Sequence, residues 1–351
     1  LIEMELTPPT YLLQAEALER RVPKNHQRMQ DIKSKIRILR SGYNGEKTLK
    51  YYLEQIPEHK YHIFYGLRLP TGNTFFQIDA LLLSPKIILI IDAKNHSGTL
   101  QFEKNQLIQE FAGNREVYEN PVAQVNRHKI SLRNLMEKYK IPFIPIENLV
   151  TVCKPSTEIV ITPGYKEAEQ KVIKAYDLLN RIDELEESYS EKKINQKTIT
   201  KVKNLLLSQH APQKVDILNL FQMTIIELIT GVQCPRCLHI PMYYKRAKWI
   251  CPECLLFSKD AFINGINDYF LLIKPSFCNP EIREFLHIPS SRTTTAQLPT
   301  LNLPYKGTKR GRVYYQPELF PLSTINVSQN KTNTIKNKNR GNMDEKIIVH
   351  P

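Results

Sequence analysis

Residues 75–98 read FFQIDALLLSPKIILIIDAKNHSG, the most apolar stretch of the chain, yet it carries Asp79, Asp92 and Lys94. Charged side chains are rarely buried without a partner, so acids and an amine at the ends of runs such as Ala80 to Leu83 and Ile87 to Ile91 require an explanation. A hairpin turning at Pro85 and Lys86 would set Asp79 opposite Asp92 and Gln77 opposite Lys94. Opposed β-carbons lie roughly 5 Å apart. Like charges repel there, whereas two carboxylates at that separation suit one shared divalent cation. Lys94 joins the same face because strand side chains repeat every second residue. The alternative is an ordinary Asp92–Lys94 ion pair at a strand end, with Asp79 as a turn-side acid.

Flanking segments supply further candidates. The dipeptide Gly45-Glu46 is read as opening a helix whose Leu49, Leu53 and Ile56 form one face, with Glu46 on that face. A first-turn acid favoured by the helix dipole is the competing account of Glu46. Asn120 and Pro121 read as N-cap and first helical residue, after which Gln124, His128, Ser131 and Leu135 share a stripe. His128 is assigned no ligand role, because a lone histidine on a helix is rarely one.

Together, Gly45-Glu46, Gln77-Ile78-Asp79, Asp92-Ala93-Lys94-Asn95 with Gly98, Asn120-Pro121 and Gln124 resemble the PD-(D/E)xK nuclease core, specifically its nuclease-related branch, the NERD domain. The resemblance covers roughly residues 38 to 165. That branch usually has Glu where this chain has Asp92, a side chain shorter by one methylene. The resemblance implies an α/β fold with a restriction-endonuclease-like mixed sheet core flanked by helices. It also implies metal-dependent hydrolysis of DNA phosphodiesters. Asp79 and Asp92 would hold Mg2+ or Mn2+, with the Ala93 carbonyl as a further ligand. Lys94 would orient the attacking water, Glu46 would bind through water or take its proton, and Gln124 would hold water or phosphate.

At 351 residues the chain exceeds a single core and suggests two or three domains. Its formal net charge of +14 favours a polyanionic partner. No 18-residue apolar run exists, because Ser84, Pro85 and Lys86 break the longest one, so no membrane span is expected. The first thirty residues lack a continuous apolar segment of the secretory kind, and a reducing, cytoplasmic setting is expected. Four of the six cysteines form Cys234-Pro-Arg-Cys237 and Cys251-Pro-Glu-Cys254, with thirteen residues between the pairs. That spacing fits a tetrahedral four-thiolate Zn2+ site; disulfides are the competing use. The segment resembles a zinc ribbon, which is structural. Cys153 and Cys278 read as buried thiols.

Beyond the cysteines, Ile263, Ile266, Phe270 and Ile273 fall at helical spacing, Asn279-Pro280 starts another helix, and Ser290 or Ser291 can cap a third. The basic stretch Lys306 to Arg312 and the strand-like Val313 to Tyr315 follow. This order resembles a winged helix-turn-helix, which implies Arg292, Thr293, Thr294, Thr295 and Gln297 as base readers and Lys309, Arg310 and Arg312 on the wing. A small helical cap with a solvated basic loop is the alternative. From Leu301 to Asn342 eight basic residues face one acid, the sign needed for phosphate contact.

The expected organisation is an arm over 1–37, the nuclease-like domain over 38–165, and a helical spacer over 166–230. The zinc ribbon over 231–260, the winged-helix-like domain over 261–318 and a basic disordered tail over 319–351 complete it. Within the spacer, one helix is expected through Val172, Ala175, Tyr176 and Leu179, and another from Ile217 to Ile229. A homodimer contact through the arm is a further expectation. The competing function is a non-catalytic DNA-binding regulator or adaptor with a degenerate nuclease fold; RNA is a third possible target.

Overall fold

The computed structural model describes residues 1–323. The tail beyond Ser323, and with it most of the expected disordered segment, lies outside the described residues. The chain forms two compact units: residues 1–12 with 35–214, and residues 13–34 with those from Val215 onward. The expected arm and spacer are each divided between them. After a short first strand come two helices, α1 (Thr10–Arg21) and α2 (Met29–Leu53).

The first unit is a mixed α/β structure. Its strands are β1 (Ile2–Met4), β2 (His62–Thr71), β3 (Thr74–Leu83), β4 (Ile88–Lys94), β5 (Thr99–Phe102), β6 (Gln106–Phe111), β7 (Asn114–Glu119), β8 (Ile146–Val152), β9 (Glu158–Ile161) and β10 (Val172–Lys174). A six-stranded sheet runs β1-β2-β3-β4-β8-β10, and a four-stranded sheet runs β7-β6-β5-β9. The β3–β4 turn is held by Ser84 Oγ, which accepts from the amides of Lys86 (3.2 Å) and Ile87 (3.1 Å), while Pro85 fixes the turn's φ. Ala80 then pairs with Ile91 and Leu83 with Ile88, the register expected from a turn at Pro85 and Lys86, but the ladder stops at Ala80–Ile91, so the expected Asp79–Asp92 and Gln77–Lys94 pairs are not formed.

Both faces of the large sheet are covered. On one, α3 (Pro121–Lys138) contributes Leu132, Leu135 and Met136 against Leu81, Leu83, Ile88 and Ile90. On the other, Leu49 and Leu53 of α2 pack with Ala80, Leu82, Leu89 and Ile91. Each isolated strand could not bury its apolar residues alone; a helix on each side does so. Side-chain alternation slips in β2 and β3. Phe64, Leu67, Ile78 and Leu81 share one core, whereas Ile63, Tyr65, Ala80 and Leu82 share the other. The slip falls at Gly66, with φ of +61°, and at Asp79, the residues between the Tyr65–Ala80 and Leu67–Ile78 pairs. Glycine reaches that backbone region without the penalty a β-carbon would bring.

Three expected elements are corrected. Gly45 does not open a helix; it lies inside α2, where a β-carbon would stand 3.0 Å from Asn95 Cβ and 3.5 Å from Ala93 Cβ. Its role is close approach of helix to strand. Val172 to Lys174 extend as β10 beside β8, because the β-branched Val172 and Ile173 complete a parallel edge, and helix resumes only in α5 (Leu178–Glu187), after α4 (Lys166–Lys171). Following α6 (Gln196–Gln209), the long helix expected from Ile217 to Ile229 is only α7 (Ile217–Leu220) plus one 3-10 turn. Gln222, at φ of +54°, breaks it.

In the second unit a three-stranded antiparallel sheet, β11 (Tyr243–Lys245), β12 (Lys248–Ile250) and β13 (Phe257–Ser258), leads into α8 (Phe262–Leu272). There follow β14 (Ser276–Cys278), α9 (Asn279–Leu286), α10 (Ser291–Gln297), β15 (Tyr305–Lys306) and β16 (Val313–Tyr315). β16 lies between β14 and β15 in one sheet. Ser290 caps α10 by accepting from the Thr293 amide at 3.1 Å. Trp249, Phe270, Phe277, Ile282, Leu286 and Tyr314 belong to one core. Among the described residues, no helix is long and apolar enough to cross a membrane.

Candidate active site

β3 and β4 diverge just past the Ala80–Ile91 pair, and the acids sit at that point. Asp79 Oδ2 accepts from the Ala93 amide at 2.8 Å. Burial first, and then the charge of Asp92, push the Asp79 carboxyl up to about 7, despite the opposing Ala93 N–H and Lys94. Asp92 is buried, and its Oδ2 lies 2.8 Å from Lys94 Nζ. The same ammonium donates to Gln124 Oε1 at 2.9 Å. Burial works against the charge on Lys94, but Asp92 and then Asp79 outweigh it and hold its pKa above the ordinary value.

Helices bring the remaining two candidates. Gly45 lets α2 approach β4, and Asn95 Nδ2 donates to Ser41 O at 2.9 Å while Ser41 Oγ donates to Asn95 O at 3.1 Å. Glu46 follows Gly45, and burial together with the Asp79 charge pushes its carboxyl up to about 8. Asn120 caps α3 with Oδ1 accepting from Val122 N at 2.8 Å, and its Nδ2 lies 2.8 Å from each of Glu103 O, Lys104 O and Tyr165 Oη, among which its two hydrogens are shared. That anchor fixes the start of α3, and Gln124 follows one turn later. Glu46, Asp79, Asp92, Lys94 and Gln124 therefore converge at one end of the sheet: three acids, one amine and one amide.

Two neighbours carried no sequence assignment to this site. His96 Nδ1 lies 2.9 Å from Gln109 Oε1, and its ring meets Tyr118 edge-on at 4.9 Å. Burial, and less strongly the Lys94 charge, keep His96 below the usual imidazole range. Its only sequence signal is its place two residues after Lys94. Cys153, read as a buried thiol, is one: burial and then the two aspartates push it up to about 12. His128 packs its buried ring on Phe76 at 5.6 Å, as a core residue of the stripe.

In the second unit the ligand atoms of Cys234, Cys237, Cys251 and Cys254 all lie within 4.8 Å of one another. Such a cluster can hold a zinc ion. Of the residues expected to read bases, Arg292 and Thr295 are exposed and Thr293 and Gln297 are half-buried on α10. Thr294 does not join them: it is buried, and its Oγ1 donates to Ser290 O at 3.2 Å. Lys309 is exposed, and Arg312 places its guanidinium 4.2 Å from the Tyr305 ring centroid. The side chain of Arg310 lies outside the described residues.

Residues 41–153 match the family of the nuclease-related domain, NERD. The matched segment contains all five converging residues. No curated protein and no solved structure matches the chain.

Proposed function

We propose that the first unit is a metal-dependent nuclease of the PD-(D/E)xK kind that hydrolyses DNA phosphodiesters. A zinc ribbon over 231–260 and a winged helix-turn-helix over 261–318 would deliver the DNA. One observation carries the reading: an ammonium held by Asp92 and Gln124 stands beside carboxylates that burial and mutual repulsion keep partly protonated. That donor set fits a hard divalent cation, which prefers carboxylate oxygens and would relieve the repulsion. Mg2+ or Mn2+ held by Asp79 and Asp92 supplies polarisation of the phosphate and a bound water of lowered pKa.

The protein's own groups account for the rest. Lys94 stays protonated, so it offsets charge developing on the phosphorane rather than acting as a base. Gln124 Oε1 is committed to Lys94, which leaves the Nε2 hydrogens for a phosphate oxygen or water. Glu46, whose carboxyl burial and the Asp79 charge push up to about 8, would take the proton of the attacking water. Zn2+ on the four cysteines would be structural, because four thiolates close the coordination shell. For the winged-helix reading, the order α8, β14, α9, α10, β15, β16 offers α10 to the major groove, with Arg292 and Thr295 outward and Lys309 on the β15–β16 loop.

Plasmid nicking tests the assignment. The intact protein should nick with Mg2+ or Mn2+, and Asp79→Asn, Asp92→Asn and Lys94→Met should each lose about 100-fold or more. Equal activity in all four proteins would sink it. Saturable binding that survives removal of Mg2+, with no cleavage by any of them, would favour the adaptor reading instead.

A further inference from the structure

We propose that the outer face of the β11-β12-β13 sheet binds unpaired nucleic acid, stacking bases on Tyr243 and Phe257 and holding phosphates with Lys245 and Lys248. This extends, and rests on, the reading of the second unit as a nucleic-acid module; it does not depend on catalysis in the first.

Strand register divides the sheet cleanly. Tyr243 pairs with Ile250, Ile250 with Phe257, and Lys245 with Lys248, so these five side chains share one face. Tyr244, Trp249 and Ser258 take the other. There Trp249 is fully buried and Tyr244 packs against it edge-on, with centroids 5.2 Å apart. An antiparallel sheet with one buried face ordinarily presents polar residues on the other. This one instead leaves Tyr243 48% and Phe257 61% exposed, with half-buried Ile250 between them. Neighbouring strands are about 4.8 Å apart, so the two rings stand roughly 10 Å from each other, too far to cover one another.

The charges identify the occupant. Residues 243–250 contain Lys245, Arg246 and Lys248 and no acid. Lys248 Nζ lies 5.8 Å from the Phe257 centroid, at the rim where the phosphate of a stacked nucleotide would pass. Rings flanked by cations on a β surface accept any base by its π-face. A duplex offers no free base faces, so the fitting ligand is single-stranded. On this view the protein holds unpaired strand on the ribbon and duplex on α10, as at a junction, flap or melted segment.

The test measures binding of the full-length, zinc-loaded protein without Mg2+ or Mn2+, by fluorescence anisotropy. Ligands are labelled oligo(dT), oligo(U) and a mixed-sequence DNA duplex. Tyr243→Ala/Phe257→Ala should weaken single-strand binding about 10-fold or more. Duplex affinity should stay within about twofold, and Tyr243→Phe/Phe257→Tyr should bind as wild type. Loss on either single strand supports the platform, and the more affected strand identifies the sugar. In the wild type, 5-iodouracil crosslinks should map to Tyr243 or Phe257. Unchanged single-strand affinity in the alanine variant, equal loss on the duplex, or crosslinks confined to α10 and the β15–β16 loop would overturn it. So would binding of wild type to phosphatidylserine vesicles but to no single strand. Absent nicking with intact single-strand discrimination would refute the nuclease reading alone.

Discussion

Asp79 links the candidate chemistry to stability, and the sign follows from its titration. Its carboxyl moves from an ordinary 3.8 to about 7 in the fold. Below the lower value it is neutral in both states and costs nothing. As pH rises through the interval the folded state retains a proton that the unfolded chain has lost, so stability falls; above about 7 the whole penalty is present. Asp79→Asn removes it. In buffer free of Mg2+ and Mn2+, that variant should be more stable than wild type by on the order of 2–4 kcal/mol at pH 8, with the gain shrinking steadily toward pH 4. Thermal melts across that range measure this; a gain independent of pH would contradict the titration. Added Mn2+ should raise the melting temperature of wild type more than that of Asp79→Asn, which has lost one carboxylate of the site. Glu46, Lys94 and Gln124 were legible because helix and strand periodicities place side chains on faces. The slip at Gly66 and Asp79 was not, because alternation read from β3 alone carries no trace of a matching break in β2.

Local chemistry decided which elements could be read. The β3–β4 hairpin was legible because Pro85 interrupts two apolar runs symmetrically, and α3, α9 and α10 because Asn120-Pro121, Asn279-Pro280 and Ser290 are start signals. Val172 to Lys174 misled because a short stretch such as Val172-Ile173 fits either period until β8 offers an edge. The β11–β12 turn yields a prediction at this scale. Lys245 pairs with Lys248 across a two-residue loop whose Arg246 and Ala247 sit at φ of +48° and +59°. Such loops require positive φ at both positions, which residues with a β-carbon adopt at a cost of roughly 1 kcal/mol each. Ala247→Gly should therefore stabilise the zinc-loaded protein by about 0.5–1 kcal/mol, read from its denaturant midpoint. A lower midpoint would mean the turn does not hold Ala247 in the left-handed region.

At the scale of the whole chain, the second unit is discontinuous, drawing residues 13–34 to those from Val215 onward. No pattern in the sequence announces this, because its main fastening joins residues 247 positions apart. Arg21 is fully buried: Nε donates to Asp268 Oδ2 at 2.8 Å, Nη1 donates to Gly231 O at 2.6 Å, and the guanidinium lies 5.1 Å from the Phe285 centroid. Arg20 adds a second bond to Asp268 at 2.6 Å. A buried pair stabilises little relative to apolar residues of similar volume, yet removing Arg21 leaves buried Asp268 with only the half-buried Arg20, at a cost of up to about 3–5 kcal/mol. Trp249, the single tryptophan of the chain, is buried in this unit, so its fluorescence follows unfolding here and not in the nuclease-like sheet. Arg21→Met should shift the Trp249 transition to markedly lower denaturant, and Arg21→Met/Asp268→Leu should recover most of the loss. If the single variant leaves that transition in place, residues 13–34 are not part of the fold around Trp249. If the shift occurs, a fragment begun at Val215 would carry Asp268 unpaired and fold poorly, and residues 13–34 must be counted as part of the second unit's fold.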